Sequence, residues 1–128
     1  MHSRILYEYA IIRIVPRVER EEFVNAGVLL YAKQSDYLGC SFKLFEHKVL
    51  ALHPEADVDL LRTQLEAFAR IAAGDKTCKS SIARQDTASR FRWLSANRST
   101  IIQCSPIHPG YAISPEQTLE ELMRFYVL

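Results

Sequence analysis

A chain of 128 residues, 48% apolar and 24% charged, has the size and composition of one domain with a single core, and about two-thirds of its unfolded surface is buried at such a length. A net charge of +1 excludes a general nucleic-acid or anionic-membrane binder that relies on a long-range positive field. Cys40, Cys78 and Cys104 are widely spaced, with no Cys-x-x-Cys pair and no zinc-type Cys/His pairing, and read as reduced thiols.

Ile5 to Val15 predict a strand rich in Ile, Val and Tyr, ended by Pro16, which cannot donate to a ladder. Both of its alternating faces are largely apolar, which places it centrally in a sheet. Glu8 and Arg13 interrupt its apolar run and no small-residue cleavage site follows, so the start does not read as a signal peptide. No apolar run approaches the roughly 18 residues that a membrane-spanning helix needs. The expected location is the cytoplasm. After a charged connection, Val28 to Lys33 and Tyr37 to Phe45 flank the polar joint Gln34-Ser35-Asp36 and complete a three-stranded meander.

From Asp57 the period becomes helical: Val58, Leu61, Leu65, Phe68, Ala69 and Ala72 recur on one face, with Asp57 as N-cap and Gly74 at the stop. Residues 75–87 read as a polar loop, after which Thr87 or Ser89 caps a short helix carrying Arg90, Phe91, Trp93 and Leu94. Thr100 to Ser105 form a fourth β-like run, stopped by Pro106, Pro109 and Gly110. Ser114-Pro115-Glu116-Gln117 is a helix start with a cap, a first-position proline and a capping-box glutamine. Strands first and helices later predict an α+β fold over 1–128, with an antiparallel sheet made of the three-stranded N-terminal meander plus a later strand, and helices packed on one face. One core is expected to join Leu61, Leu65 and Phe68 to Leu119, Leu122, Ile12 and Leu30.

Ligand-holding chemistry is densest from Ser89 to Tyr111. Arg90, Arg92 and Arg98 present planar donor forks suited to carboxylate or phosphate, Trp93 a stacking face, and Ser99, Thr100, Gln103 and His108 short polar contacts. Residues 76–110 carry six positive groups and one negative, so the basic excess lies there. Arg20 and Asn25, in the turn after the first strand, form a candidate second wall facing Arg98. His47 and His53 are six residues apart, and His2 and His108 stand alone, so no histidine spacing predicts a metal site. Asp36 with Glu46-His47-Lys48 resembles the Asp…Glu-x-Lys core of metal-dependent nucleases, yet Asp36 is a turn residue and the triplet reads as a solvated strand end. Ser99 or Ser105 beside His108 lacks an orienting third group and a nucleophile elbow.

The segments YEYAIIRIVPRVEREEFVNAGVLLYAK and FRWLSANRSTIIQCSPIHPG resemble the bacterial domain of unknown function 3037 family. The matching residues are Tyr9, Arg13, Pro16, Glu19, Arg20, Glu22, Phe23, Asn25 and Gly27, then Arg90, Phe91, Trp93, Leu94, Arg98, Ser99, Thr100, Gln103, Ser105, Pro106, His108 and Gly110. The resemblance implies no assigned activity, cofactor or catalytic residue. It does imply a protein partner, a kinase similar to HipA, the toxin kinase of a bacterial toxin–antitoxin pair. The expected function is therefore a non-catalytic binding or regulatory module. Its surface is built from Arg90, Trp93, Arg98, Ser99, Thr100, Gln103, His108, Arg20 and Asn25, and takes a phosphate-bearing ligand or an acidic segment of a partner. No metal or cofactor is expected, and neither membrane nor nucleic acid is an expected partner. The alternative is an enzyme acting on a phosphate ester or nucleic acid, with His108 as acid or base and arginines stabilising developing charge.

Overall fold

The computed structural model of the protein describes residues 3–128, so His2 lies outside the described residues. Its centre is strand β1 (Ile5–Ile14), in which Ala10, Ile11, Ile12 and Ile14 are all buried. β1 pairs antiparallel with β2 (Val24–Ala32), and β2 with β3 (Tyr37–Phe42). Single-turn 3-10 helices at Val18–Arg20 and Lys33–Ser35 join these strands, each closed by a left-handed residue, Glu21 and Asp36. The opposite side of β1 is shared by β4 (Ile102–Cys104), against Ile12 to Ile14, and β5 (His108–Ala112), against Ile5 to Tyr9.

The sheet is antiparallel and the class is α+β. The second of these edge segments, β5, was not expected, because Pro109 and Gly110 read as a stop. An edge strand has one neighbour and leaves half of its backbone groups unpaired, so a proline is tolerated there. Gly110 fits for a separate reason: the end of the ring of Tyr7, its partner across the ladder, occupies the space where a β-carbon would stand and would have to move for a larger residue.

Four helices follow. The first, α1 (Glu46–Leu52), replaces the expected strand end at Glu46-His47-Lys48. It buries only Val49, so it carries no periodic apolar signal by which a sequence would reveal it. α2 (Val58–Ala72) begins where the Asp57 carboxylate accepts the Leu60 amide at 3.1 Å, and ends beside Gly74, whose φ of 69° favours glycine. α3 (Thr87–Ser95) is capped by Asp86, which accepts the Ser89 amide at 2.7 Å, rather than by Thr87 or Ser89. α4 (Pro115–Tyr126) starts at Ser114, whose hydroxyl accepts the Gln117 amide at 3.3 Å. Among the described residues no helix is long and apolar enough to cross a membrane.

The helices divide between both faces of the sheet, correcting the expectation of one covered face. Ile12, Ile14, Leu29 and Tyr31 pack with Val49 of α1, Leu61, Leu65 and Ile71 of α2 and Phe91 and Leu94 of α3. On the other face Ile11, Val28 and Leu30 pack with Leu119, Met123 and Val127, from α4 and its end, with Leu122 alongside. The cause is visible in β1 and β2 themselves: residues of both parities are apolar, so either face left bare would expose a large hydrophobic surface. Two cores result, and Leu30, Leu119 and Leu122 do not share one with Ile12, Leu61 and Leu65.

Candidate functional site

Of the three arginines between Ser89 and Tyr111, Arg90 and Arg98 are engaged by backbone and Arg92 is exposed. Arg90 of α3 donates to the Gln85 carbonyl at 2.8 Å and to the Ala72 carbonyl at 3.5 Å, tying the end of α2 to the entrance of α3. Arg98 donates to the carbonyls of Trp93 and Leu94 and lies 4.1 Å over the Trp93 ring. It therefore satisfies carbonyls that the end of α3 leaves unpaired, while the indole holds its plane. Trp93, Arg98 and Thr100 line one wall of a shallow groove of about 410 Å³ against Gln64, Phe68 and Ile71. The Thr100 hydroxyl donates to the Ile102 carbonyl at 2.6 Å, and Ser99 is exposed. Arg20 is exposed and paired with Glu22 at 2.5 Å.

Asn25, Gln103 and His108 belong to the opposite face, and two irregularities of the sheet put the first and last there. Ile12 pairs with Gly27 but Arg13 pairs with Asn25, so Ala26 is an extra residue in β2. A one-residue slip exchanges the faces of every side chain beyond it. Ala26 and Val24 consequently join the α2/α3 core, and Asn25 lies with Arg13 on the α4 face. The second slip is on the edge: Cys104 pairs with Ile12 whereas His108 pairs with Tyr9, so one residue is gained between β4 and β5. His108 then stands beside the Tyr9 ring at 5.4 Å rather than facing the α2/α3 core.

The outcome is a polar row across three strands: Asn25 of β2 and Gln103 of β4 each pair with Arg13 of β1, one on either side of it. The amide of Asn25 donates to the Tyr126 carbonyl at 3.2 Å and that of Gln103 to the Thr100 carbonyl at 2.8 Å. Each amide nitrogen carries two hydrogens, so a second donor remains on both. Arg13 lies 4.1 Å over the ring of Phe23, and its Nε is closed off from solvent without a hydrogen-bond partner. The ion pairs among the described residues use Arg17, Arg20, Arg62 and Arg70, not Arg13. A half-buried guanidinium on an aromatic ring, flanked by two amides and lacking a counter-charge, offers planar donors of the kind that an oxyanion can accept from.

His108 stands apart from this row. Its partner Tyr9 is four residues from Arg13, about 13 Å along the strand. Tyr9 hydrogen-bonds Tyr126 hydroxyl to hydroxyl at 3.0 Å, and burial, with that bond second, pushes the Tyr9 phenol up to about 12. Among the described residues no three His, Cys, Asp or Glu side chains gather in a way that could hold a metal ion. Glu46, of the Glu-x-Lys triplet, is paired with Arg62 at 2.8 Å, and Lys48 lies over the Phe45 ring. Arg13 was absent from the candidate residues; its signal was a lone cation in an otherwise apolar central strand, which a search for clustered polar residues passes over.

Comparison with curated proteins and with solved structures gave no match. The model of the family described as protein of unknown function DUF3037 matches residues 9–127, nearly the whole chain, and the protein belongs to that family.

Proposed function

We propose that the protein is a non-catalytic binding module that recognises an oxyanion, phosphate or carboxylate, carried by a protein partner, with Arg13 as the anchor. The observation that carries this reading is the Arg13 guanidinium, which lies over Phe23, has its Nε closed off from solvent without a hydrogen-bond partner, and is not paired with any carboxylate among the described residues. Its terminal nitrogens, which no carboxylate among the described residues engages, are the donors that an arriving oxyanion takes. Asn25 and Gln103, each held by a backbone carbonyl, supply further amide hydrogens beside it. Trp93 and Arg98 form a second wall only if the partner reaches around the β4 edge, since they belong to the α2/α3 side. The HipA-like kinase implied by the resemblance is the first partner to try, and acidic or phosphorylated segments of it are the groups that would enter the row.

The test has two arms. In the first, inorganic phosphate and acetate are titrated while the Arg13 Nε–H signal is followed by NMR. In the second, tagged wild-type protein, Arg13→Ala and Arg13→Lys are compared in pull-downs from the native organism and against the purified kinase. Arg13→Ala is expected to weaken binding by about 10- to 100-fold, the equivalent of one charge-assisted hydrogen bond or two, and lysine to rescue little of it because it lacks the planar fork. A folded Arg13→Ala variant that retains its partners at wild-type strength would refute the proposal.

A further inference from the structure

β1 carries one other charged side chain, Glu8, and it faces away from Arg13. Its cross-strand neighbours are Tyr31 and Pro109, and with Tyr31 it belongs to the face that α3 covers only in part. A groove of about 550 Å³ opens there between the sheet and α3, lined by Leu6, Glu8, Tyr31, Lys33, Ala88 and Arg92. Its floor is apolar and stiff: the Tyr31 ring stacks on Phe91 at 5.0 Å, and Leu6 and Ala88 flank it. Glu8 is half-buried, and the ion pairs of the described residues do not include it, Lys33 or Arg92. Of the other carboxylates whose field reaches the Tyr31 hydroxyl, Asp86 is engaged in capping α3 and Asp36 lies in the turn before β3.

The groove thus presents an unpaired carboxylate on the central strand and two unpaired cations on its other walls, with hydrophobic surface between them. Each simple ligand class meets an obstacle. A lone cation drawn to Glu8 is repelled by Lys33 and Arg92; a lone anion is repelled by Glu8; an uncharged apolar molecule takes water from Glu8 without replacing its hydrogen bonds. A molecule bearing an ammonium and a carboxylate, with an apolar side chain, satisfies all three requirements. The size of the groove falls within the roughly 300–1,000 Å³ usual for small-molecule sites.

We propose that this groove is a second site, independent of the Arg13 row, which binds an apolar amino-acid zwitterion, free or as a dipeptide. The ammonium rests on Glu8, the carboxylate on Arg92 and Lys33, and the side chain on Leu6, Ala88 and the Tyr31 ring.

Calorimetric and NMR titrations of the whole chain with leucine, leucyl-leucine, leucinamide and N-acetyl-leucine test it. Leucinamide lacks the carboxylate and N-acetyl-leucine the ammonium. Saturable binding of leucine or leucyl-leucine is expected, with both capped forms weaker by about tenfold or more, the loss of one charge-assisted contact. Comparing the two zwitterions decides whether the natural ligand is a single residue or a dipeptide. Glu8→Gln and Arg92→Ala should each reduce binding by about tenfold, and Arg13→Ala should leave it unchanged. The proposal is overturned if neither zwitterion binds, if the capped forms bind as well as the zwitterions, or if a folded Arg13→Ala variant loses binding. The capped ligands decide the question even if a variant fails to fold.

Discussion

The amide of Ile11 donates to the hydroxyl of Ser105 at 2.8 Å, while the amide of Ser105 donates to the carbonyl of Ile11 at 2.9 Å. In a regular antiparallel pair both bonds would run between backbones. Here the edge turns away at Pro106, and a buried hydroxyl takes the place of the missing carbonyl, itself donating to the Pro106 carbonyl at 2.9 Å. One serine thereby holds the central strand against the kink that turns His108 to the α4 face.

Ser105→Ala leaves the buried Ile11 amide without a partner and is expected to cost about 1–3 kcal/mol in urea unfolding. Amide exchange at Ile11 should accelerate in the same variant. Wild-type stability and exchange would mean that water or a shifted carbonyl replaces the hydroxyl without loss.

Arg90 and Arg84 look alike in sequence but differ in surroundings. Arg90 bridges two carbonyls at the junction of α2 and α3, whereas Arg84 is exposed and reaches only the Lys76 carbonyl at 3.5 Å. Arg90→Ala should lower stability by about 1–2 kcal/mol and Arg84→Ala by less than about 0.5 kcal/mol. Equal thermal melts for the two variants would refute the bridging role.

Trp93 is the single tryptophan of the chain, so its fluorescence reports the Arg98 stack directly. Removing the guanidinium exposes more of a ring that is already 41% exposed, and Arg98→Ala should shift the emission to longer wavelength. Unchanged emission would place Arg98 off the ring in solution.

Leu65 is 1% exposed within the α2 side of the sheet, and Leu65→Ala should cost about 2–5 kcal/mol. A loss below about 1 kcal/mol would show that α2 is wrongly phased on the sheet.

Burial pushes the Cys40 thiol up to about 12 and the Cys104 thiol up to about 11, with Arg98 and Arg13 lowering the latter by less than burial raises it. Both are unpaired. Because the folded values lie above the unfolded value of about 9, the neutral thiols favour the fold below that pH, and the contribution is lost as pH rises through about 11 to 12. At pH 8 both should react slowly with a disulfide reagent in the native protein and fast in denaturant. Equal rates in the two states would refute their seclusion.

The sequence by itself determined the elements whose signals are local. Asp57, Ser114 and Pro115 announce two helix starts, the spacing from Val58 to Ala72 announces α2, and the β-branched run of β1 announces a central strand. It also pointed to the family, through the two long segments that the match over residues 9–127 encloses. What it left open depended on neighbours. α1 has one buried residue and no period; β5 is held by its pairing to Tyr7 and Tyr9, against its own proline and glycine. The doubling of the core follows from the two apolar parities of β1 and β2, but only the docking of α4 shows how the second face is covered.

The candidate site divides in the same way. Residue type alone nominated Arg90 and Arg98, and tertiary structure gave both to backbone carbonyls at helix ends. Arg13 and Glu8, which the sequence showed as interruptions of an apolar strand, Arg13 also as one of the residues of the family resemblance, are among the charged groups without an ion pair among the described residues. Two one-residue slips decided which side chains accompany Arg13 and which stand beside Tyr9. A slip reverses the face of every residue beyond it while changing no residue's identity, so its position is a property of the paired strands.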